Sequence, residues 1–342
     1  METGLPEGRA EGYIHYIKEF ISMKYIAYGV EAAKADRDLI TRIEELAPDY
    51  TVLSGNSIDD FAGKLDEIEI AFRDIGIETL LTMKNLKWFQ AWSAGVDNLM
   101  ADPRILDSRF LITNTRGIHP IQMAEHVFSL LLSLSRGLNH SWQLREEHVW
   151  KQVPASRLFE LEGKTMLILG AGAIGRRTAT IAKAFGMRVI AARRSDLDRL
   201  GPFDEVVPWE AFREYLESAD VVLNILPLTH ETEGLLGAKE FERMGPGTVF
   251  LNVGRGKTVD QEALIEALNK GVIDCAGLDV ADPEPLPSDS PLWDMENVVM
   301  TGHYAGITPR YDERGNEIFL RNLKSYAAGK ELQNIVDRKR GY

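Results

Sequence analysis

At 342 residues the chain is too long for one ordinary hydrophobic core and comfortable for two. Its 52 acidic against 39 basic side chains give a formal net charge of −13, which disfavours nucleic acid and anionic lipid as partners and obliges an anionic substrate to find its own positive site. Cys275 is the only cysteine, which excludes an internal disulfide framework and suits a reducing, cytoplasmic setting.

Residues 1–22 carry Glu2, Glu7, Glu11 and Glu19 with no basic start and no apolar run, so they read as a poorly ordered extension rather than a secretory signal. From Lys24 the pattern alternates. KYIAYG is predicted as strand, ADRDLITRIEELAP as amphipathic helix and YTVLSG as strand. IDDFAGKLDE then reads as helix, IEIAFR as strand, IETLLTMKN as helix and LKWFQAW as strand. Short apolar runs separated by helices of this length predict βαβ units and a parallel sheet.

IQMAEHVFSLLLSLSRGLNHSWQL reads as a long, mostly apolar helix ending near Gly137, broad enough to be buried between domains or against a second subunit. No stretch approaches the ~18 apolar residues a membrane span needs. A second alternating region runs from Lys164 to about Met300, with strands MLILG, RVIAA, VVLNIL, TVFLNVG and AGLDV. Within it Asp260 caps the helix QEALIEALNK and Gly271 stops it. TPRYDERGNEIFLRNLKSYAAGKELQN is one more amphipathic helix. The fold class is therefore α/β, with residues 121–305 forming a nucleotide-binding domain inserted into a first domain of 23–120 plus 306–342.

LILGAGAIG places Gly170-x-Gly172-x-x-Gly175 between a strand and a helix, with Ala173 and Ile174 opening that helix. Glycines there let the backbone approach a pyrophosphate, and the helix N-terminus offers unpaired N–H groups to it. The next strand closes on Arg193, Arg194 and Ser195, where a ribose-binding acid commonly stands. Guanidinium groups attract a 2′-phosphate, so NADP is expected in preference to NAD. The alternative is that they are solvated loop residues beside a pocket that takes NAD.

The motifs AWSAGVDNL, MAEHVFSLLLSLSR, GAGAIG, LNILPLTHETEGLL, LNVGRGKTVD, GLDVADPEP and GHYAGITPRY follow one another in the order seen in the D-isomer-specific 2-hydroxyacid dehydrogenase family. The resemblance covers nearly the whole chain after Met23. It implies two Rossmann-like domains, a flavodoxin-like substrate domain and an inserted NAD(P)-binding one, with the active site in the cleft and a homodimer joined through the long helix. It also implies that Arg255 grips the substrate carboxylate and polarises the keto oxygen, a task suited to a planar fork of donors. His303 would be the general acid/base, and Glu284, with Asp282 as a rival, would orient the imidazole and keep it protonated for reduction.

The same likeness points to the backbone N–H groups around Ala94 and Gly95 as receivers of the substrate carboxylate. Asp279 would lie near the nicotinamide carboxamide, Leu226 and Pro227 along the adenosine, Val253 and Gly254 at the nicotinamide end, and Gly306 also in the cofactor set. Arg73, at the end of IEIAFR, is either a site for a second anionic group or a surface residue. The nearest functional relatives are glyoxylate and hydroxypyruvate reductases, acting on a small 2-ketoacid or 2-hydroxyacid. No appended regulatory domain is expected. Two other readings stay open, a nucleotide-sensing corepressor and a dehydrogenase of another small anion such as formate or phosphonate. No metal site is expected, since Cys275 stands alone and no histidines have ligand spacing.

Overall fold

A computed structural model describes residues 24–194, 197–198 and 200–339. The extension at 1–22 and Ser195 lie outside the described residues. The chain divides into two compact units, one running to Arg116 and resuming at Asp312, the other spanning Gly117–Tyr311. The crossing points read from the sequence were 120/121 and 305/306.

The first unit is built on five parallel strands, β1 (Lys24–Gly29), β2 (Tyr50–Gly55), β3 (Ile68–Arg73), β4 (Trp88–Gln90) and β5 (Leu111–Thr113), in the order β2-β1-β3-β4-β5. The helix Arg37–Leu46 begins where Asp36 accepts the N–H of Leu39 at 3.1 Å, and it buries Leu39 and Ile43, four residues apart on one face. Phe319 of the helix Tyr311–Ala327 stacks on Phe72 at 4.0 Å and on Trp88 at 5.3 Å, which fastens the C-terminal helix to this sheet. Burying such a ring stabilises by roughly 1.5–3 kcal/mol relative to leaving it in water.

The predicted helix IDDFAGKLDE is instead two 3-10 turns, Asp59–Phe61 and Leu65–Glu67. Asp60 explains the first, since its carboxylate takes the N–H groups of Asn56 and Ser57, both at 3.0 Å, and competes with a helical ladder.

The second unit holds seven parallel strands, β6 (Thr165–Leu169), β7 (Arg188–Arg193), β8 (Glu205–Pro208), β9 (Val221–Asn224), β10 (Val249–Asn252), β11 (Cys275–Leu278) and β12 (Val298–Met300). Their order is β12-β11-β10-β9-β6-β7-β8, so the direction of winding reverses between β6 and β9. Leu167, Leu169, Ile190 and Ala192 face one core layer, and Met166, Ile168, Val189 and Ala191 face the other. Both faces of a parallel sheet are covered, hence the near-continuous apolar strands. Helix Pro120–Ser135 lays Val127, Leu130, Leu131 and Leu134 in the second layer. The helix ends near Gly137 as expected, that glycine taking a left-handed φ of +66°, and a second helix, Leu138–Glu146, follows it. No helix among the described residues is long and apolar enough to cross a membrane.

Candidate active site

The glycine-rich turn joins β6 to the helix Ala173–Ala184. Gly170 has φ +105°, a conformation side chains rarely adopt, and a Cβ on Gly175 would stand 2.7 Å from the Gly170 carbonyl oxygen. Gly172 is the N-cap residue and offers no side chain to the first amides of the helix, while the space where its Cβ would stand holds no atom within 4 Å. An uncapped helix N-terminus at the winding reversal is a ready receptor for a pyrophosphate, so these residues fit an NAD(P) dinucleotide.

The two strands beyond the reversal both end in Leu-Asn, and sequence reasoning passed over both asparagines. Asn224 Oδ1 accepts the Leu226 N–H at 3.2 Å, and Asn252 Oδ1 accepts the Gly254 N–H at 3.1 Å, so each side chain turns the chain at a strand end. Asn224 Nδ2 donates to Asn252 Oδ1 at 3.1 Å and to Thr258 Oγ1 at 2.7 Å. Thr258 in turn donates to the Arg255 carbonyl at 2.6 Å. This buried network ties the expected adenosine-side loop at Leu226 and Pro227 to the loop carrying Val253, Gly254 and Arg255. Arg255 Nη1 donates to the Gly254 carbonyl at 2.9 Å. Gly256 touches the next strand's loop so closely that a Cβ would stand 1.8 Å from the Ala281 carbonyl oxygen.

Asp279, 2 % exposed, follows β11 and organises the segment after β12. Its carboxylate accepts the Thr301 hydroxyl at 2.6 Å, the Tyr304 N–H at 3.1 Å and the Ala305 N–H at 3.0 Å, and its carbonyl accepts the His303 N–H at 2.8 Å. So held, His303 keeps a φ of +55°, rare for a residue with a side chain. Its Nδ1 lies 2.7 Å from Glu284 Oε2, and the other Glu284 oxygen accepts the Ala281 N–H at 3.1 Å. The rival carboxylate does not make this contact; Asp282 is tied by its own N–H to Gln261 Oε1 at 3.0 Å.

His126 also belongs to this network. Its Nε2 lies 2.9 Å from Thr301 Oγ1 and 3.5 Å from Asp279 Oδ1. Because the threonine proton goes to Asp279, the imidazole donates from Nε2. Burial pushes the His126 pKa below its ordinary 6.5, against the opposing pull of Asp279, and favours the neutral ring. Gly306 is fastened through its carbonyl by Gln122 Nε2 at 3.0 Å.

Of the two arginines that close β7, Arg193 is its last residue and is partly buried. Arg194 pairs with Glu231 and lies over the Trp209 ring, 5.9 Å from its centroid.

In the first unit, the loop after β4 turns its carbonyls inward. Thr115 N–H donates to the Ser93 carbonyl at 3.2 Å, Asn114 Nδ2 to the Ala94 carbonyl at 2.8 Å and Ser93 Oγ to the Gly95 carbonyl at 2.6 Å. Arg73 ends β3 and is 12 % exposed; Nη1 donates to the Tyr28 hydroxyl at 2.9 Å, and Nη2 pairs with Asp312. No group of three or more His, Cys, Asp or Glu arranged to hold a metal ion occurs among the described residues.

Residues 128–305 match the NAD binding domain of the D-isomer specific 2-hydroxyacid dehydrogenases. The chain is 34 % identical over 273 residues to a glyoxylate reductase of Korarchaeum cryptofilum, covering 78 % of this chain and 80 % of the relative. It is 34 % identical over 273 residues to glyoxylate/hydroxypyruvate reductase B of an Enterobacter species, covering 79 % and 82 %. A solved D-isomer specific 2-hydroxyacid dehydrogenase from Xanthobacter autotrophicus, in complex with NADPH and MES, superposes with a TM-score of 0.79 at 28 % identity, covering 94 % of this chain and all of that one.

Proposed function

The chain belongs to the D-isomer-specific 2-hydroxyacid dehydrogenase family, as an NAD(P)-linked oxidoreductase, and we propose that it reduces a small 2-ketoacid of the glyoxylate or hydroxypyruvate type to the D-2-hydroxyacid, with NADPH preferred. The observation that carries this reading is the His303–Glu284 contact at 2.7 Å, in the same unit as Arg255 and the glycine-rich turn.

The cofactor supplies the hydride. Arg255 holds the ketoacid carboxylate and draws electron density onto the keto oxygen, a fork of donors meeting two acceptors. His303 gives its Nε2 proton to that oxygen as it gains charge, and takes it back in the reverse direction. Glu284 on Nδ1 fixes the plane of the ring. The amides of Ala94 and Gly95 are assigned to the substrate carboxylate, and Arg73 is the candidate for a second anionic group. Asp279 serves the carboxamide, Leu226 and Pro227 the adenosine, and Val253 and Gly254 the nicotinamide end, with Gly306 also in the cofactor set.

The preference for NADPH rests on Arg193 and Arg194, together with the NADPH bound to the Xanthobacter relative. A cytoplasmic homodimer completes the proposal. Its support is the buried free thiol of Cys275 and a run of exposed apolar side chains, Leu138, Trp142, Val149 and Trp150, along and after the helix Leu138–Glu146.

The test is a set of initial rates with NADPH and NADH against glyoxylate, hydroxypyruvate, pyruvate and phenylpyruvate. Turnover of the smaller ketoacids with a higher specificity constant for NADPH is expected. A higher constant with NADH sinks the cofactor preference, and no turnover of any ketoacid sinks the activity.

A further inference from the structure

Arg73 stands at an unusual place in an unusual conformation. It is the last residue of β3, and β3 flanks β1, where the first sheet reverses its direction of winding. Ligands of open parallel sheets bind at the carboxyl ends of strands at such a reversal. Its φ is +71°, a conformation a residue with a side chain rarely keeps, and outliers of this kind gather at functional sites.

The guanidinium is also unusually housed. Its carbon lies 4.5 Å from the centroid of the Trp92 ring and 5.6 Å from that of Tyr28. Trp92 is two residues before Ala94, so the cation sits at the root of the loop assigned to the substrate carboxylate. A cation so shielded needs an anion. Asp312 provides it, and the same oxygen, Oδ1, also accepts the Trp92 Nε1–H at 3.0 Å. Arg73 is 12 % exposed while Asp312 is 62 % exposed, so the anion reaches in from water to a cation fixed in the fold. A carboxylate entering from solvent would compete for those donors and would meet the charge of Asp312 on arrival.

We propose that Asp312 is a specificity-determining residue. By occupying Arg73 it confines the site to 2-ketoacids with one negative charge, and its removal opens Arg73 to ketoacids carrying a second carboxylate. The inference rests on the ketoacid reductase reading for its substrate, though not for its binding chemistry. Discrimination of this kind comes from repulsion of the wrong ligand as much as attraction of the right one.

The test compares the full-length protein with Asp312→Asn and with Asp312→Asn combined with Arg73→Gln. Specificity constants with NADPH are measured for glyoxylate, a monoanion, and oxaloacetate, a dianion. In parallel, malonate and acetate are titrated against tryptophan fluorescence, with Trp92→Phe identifying the reporting ring. The single variant is expected to raise the oxaloacetate-to-glyoxylate ratio roughly tenfold and to tighten malonate, but not acetate, by a similar factor. The double variant is expected to lose both gains. A change below about threefold in both readouts overturns the proposal, as does a gain that survives loss of Arg73. If Asp312 only anchors its helix, stability falls and the ratio stays. Should Asp312→Asn fail to fold, as judged by circular dichroism, Asp312→Ser takes its place. If the wild type reduces no ketoacid, the activity reading fails alone, and the malonate titration still decides the role of Asp312.

Discussion

The Nδ1 of His303 lies 2.7 Å from Oε2 of Glu284, and this contact holds one of the two imidazole nitrogens. Glu284 is itself steadied by the Ala281 N–H at 3.1 Å, so the ring is oriented by backbone as well as by charge. Replacing Glu284 with Gln keeps the shape and removes the charged partner that holds Nδ1. The kcat for ketoacid reduction is expected to fall roughly tenfold or more, with KM little changed. A kcat equal to wild type defeats the assignment of Glu284.

Arg255 is expected to act on the reacting oxygen as well as on the carboxylate. Arg255→Gln should lower kcat/KM by roughly 10²–10³-fold, the usual effect of losing one preorganised donor. Arg255→Lys should recover only part, because an ammonium lacks the planar fork. Full activity in the lysine variant counts against two-point recognition.

His126 gives a stability prediction with a definite sign. Burial depresses its pKa below 6.5 in the folded protein, so the unfolded chain binds more protons as pH falls through that value. Its contribution is therefore complete above about pH 6.5 and diminishes as the pH drops below it. His126→Gln should flatten the fall in urea-unfolding free energy between about pH 6.5 and 5. An unchanged slope in the variant removes His126 from that linkage.

Arg194 is paired with Glu231, so a 2′-phosphate must share or displace a carboxylate to reach it. Glu231→Gln is expected to tighten NADPH without equal effect on NADH, by roughly 3–10-fold. Arg193→Ala with Arg194→Ala should weaken NADPH selectively, and fluorescence titration of both cofactors reads each change. Equal effects on the two cofactors make the arginines bystanders.

Much of this molecule was legible before its structure was. Strand and helix alternation and the Gly170–Gly175 turn depend on local spacing, and local spacing is what a sequence displays directly. Arg255 and His303 were singled out only by the likeness of their motifs to the family. The errors were local too, as where Asp60 captured the amides of Asn56 and Ser57 and left IDDFAGKLDE as two short turns. The choice of Glu284 over Asp282 needed tertiary structure, since two carboxylates two residues apart look alike until one is seen against the imidazole. The Asn224–Asn252–Thr258 network needed it as well, although the repeated Leu-Asn at two strand ends was a signal available to be read.

The partners of Arg73 and His126 were out of reach of any pattern. Arg73 meets Asp312 across 239 residues of chain, and His126 meets Thr301 across 175. The order of strands in a sheet decides which loop ends become neighbours, and a sequence encodes that order only through the whole set of cores it must fill. Periodicity therefore determined most of the elements, and the motifs their expected chemistry. The tertiary fold decided which charges face one another, because that depends on distance in space and not along the chain.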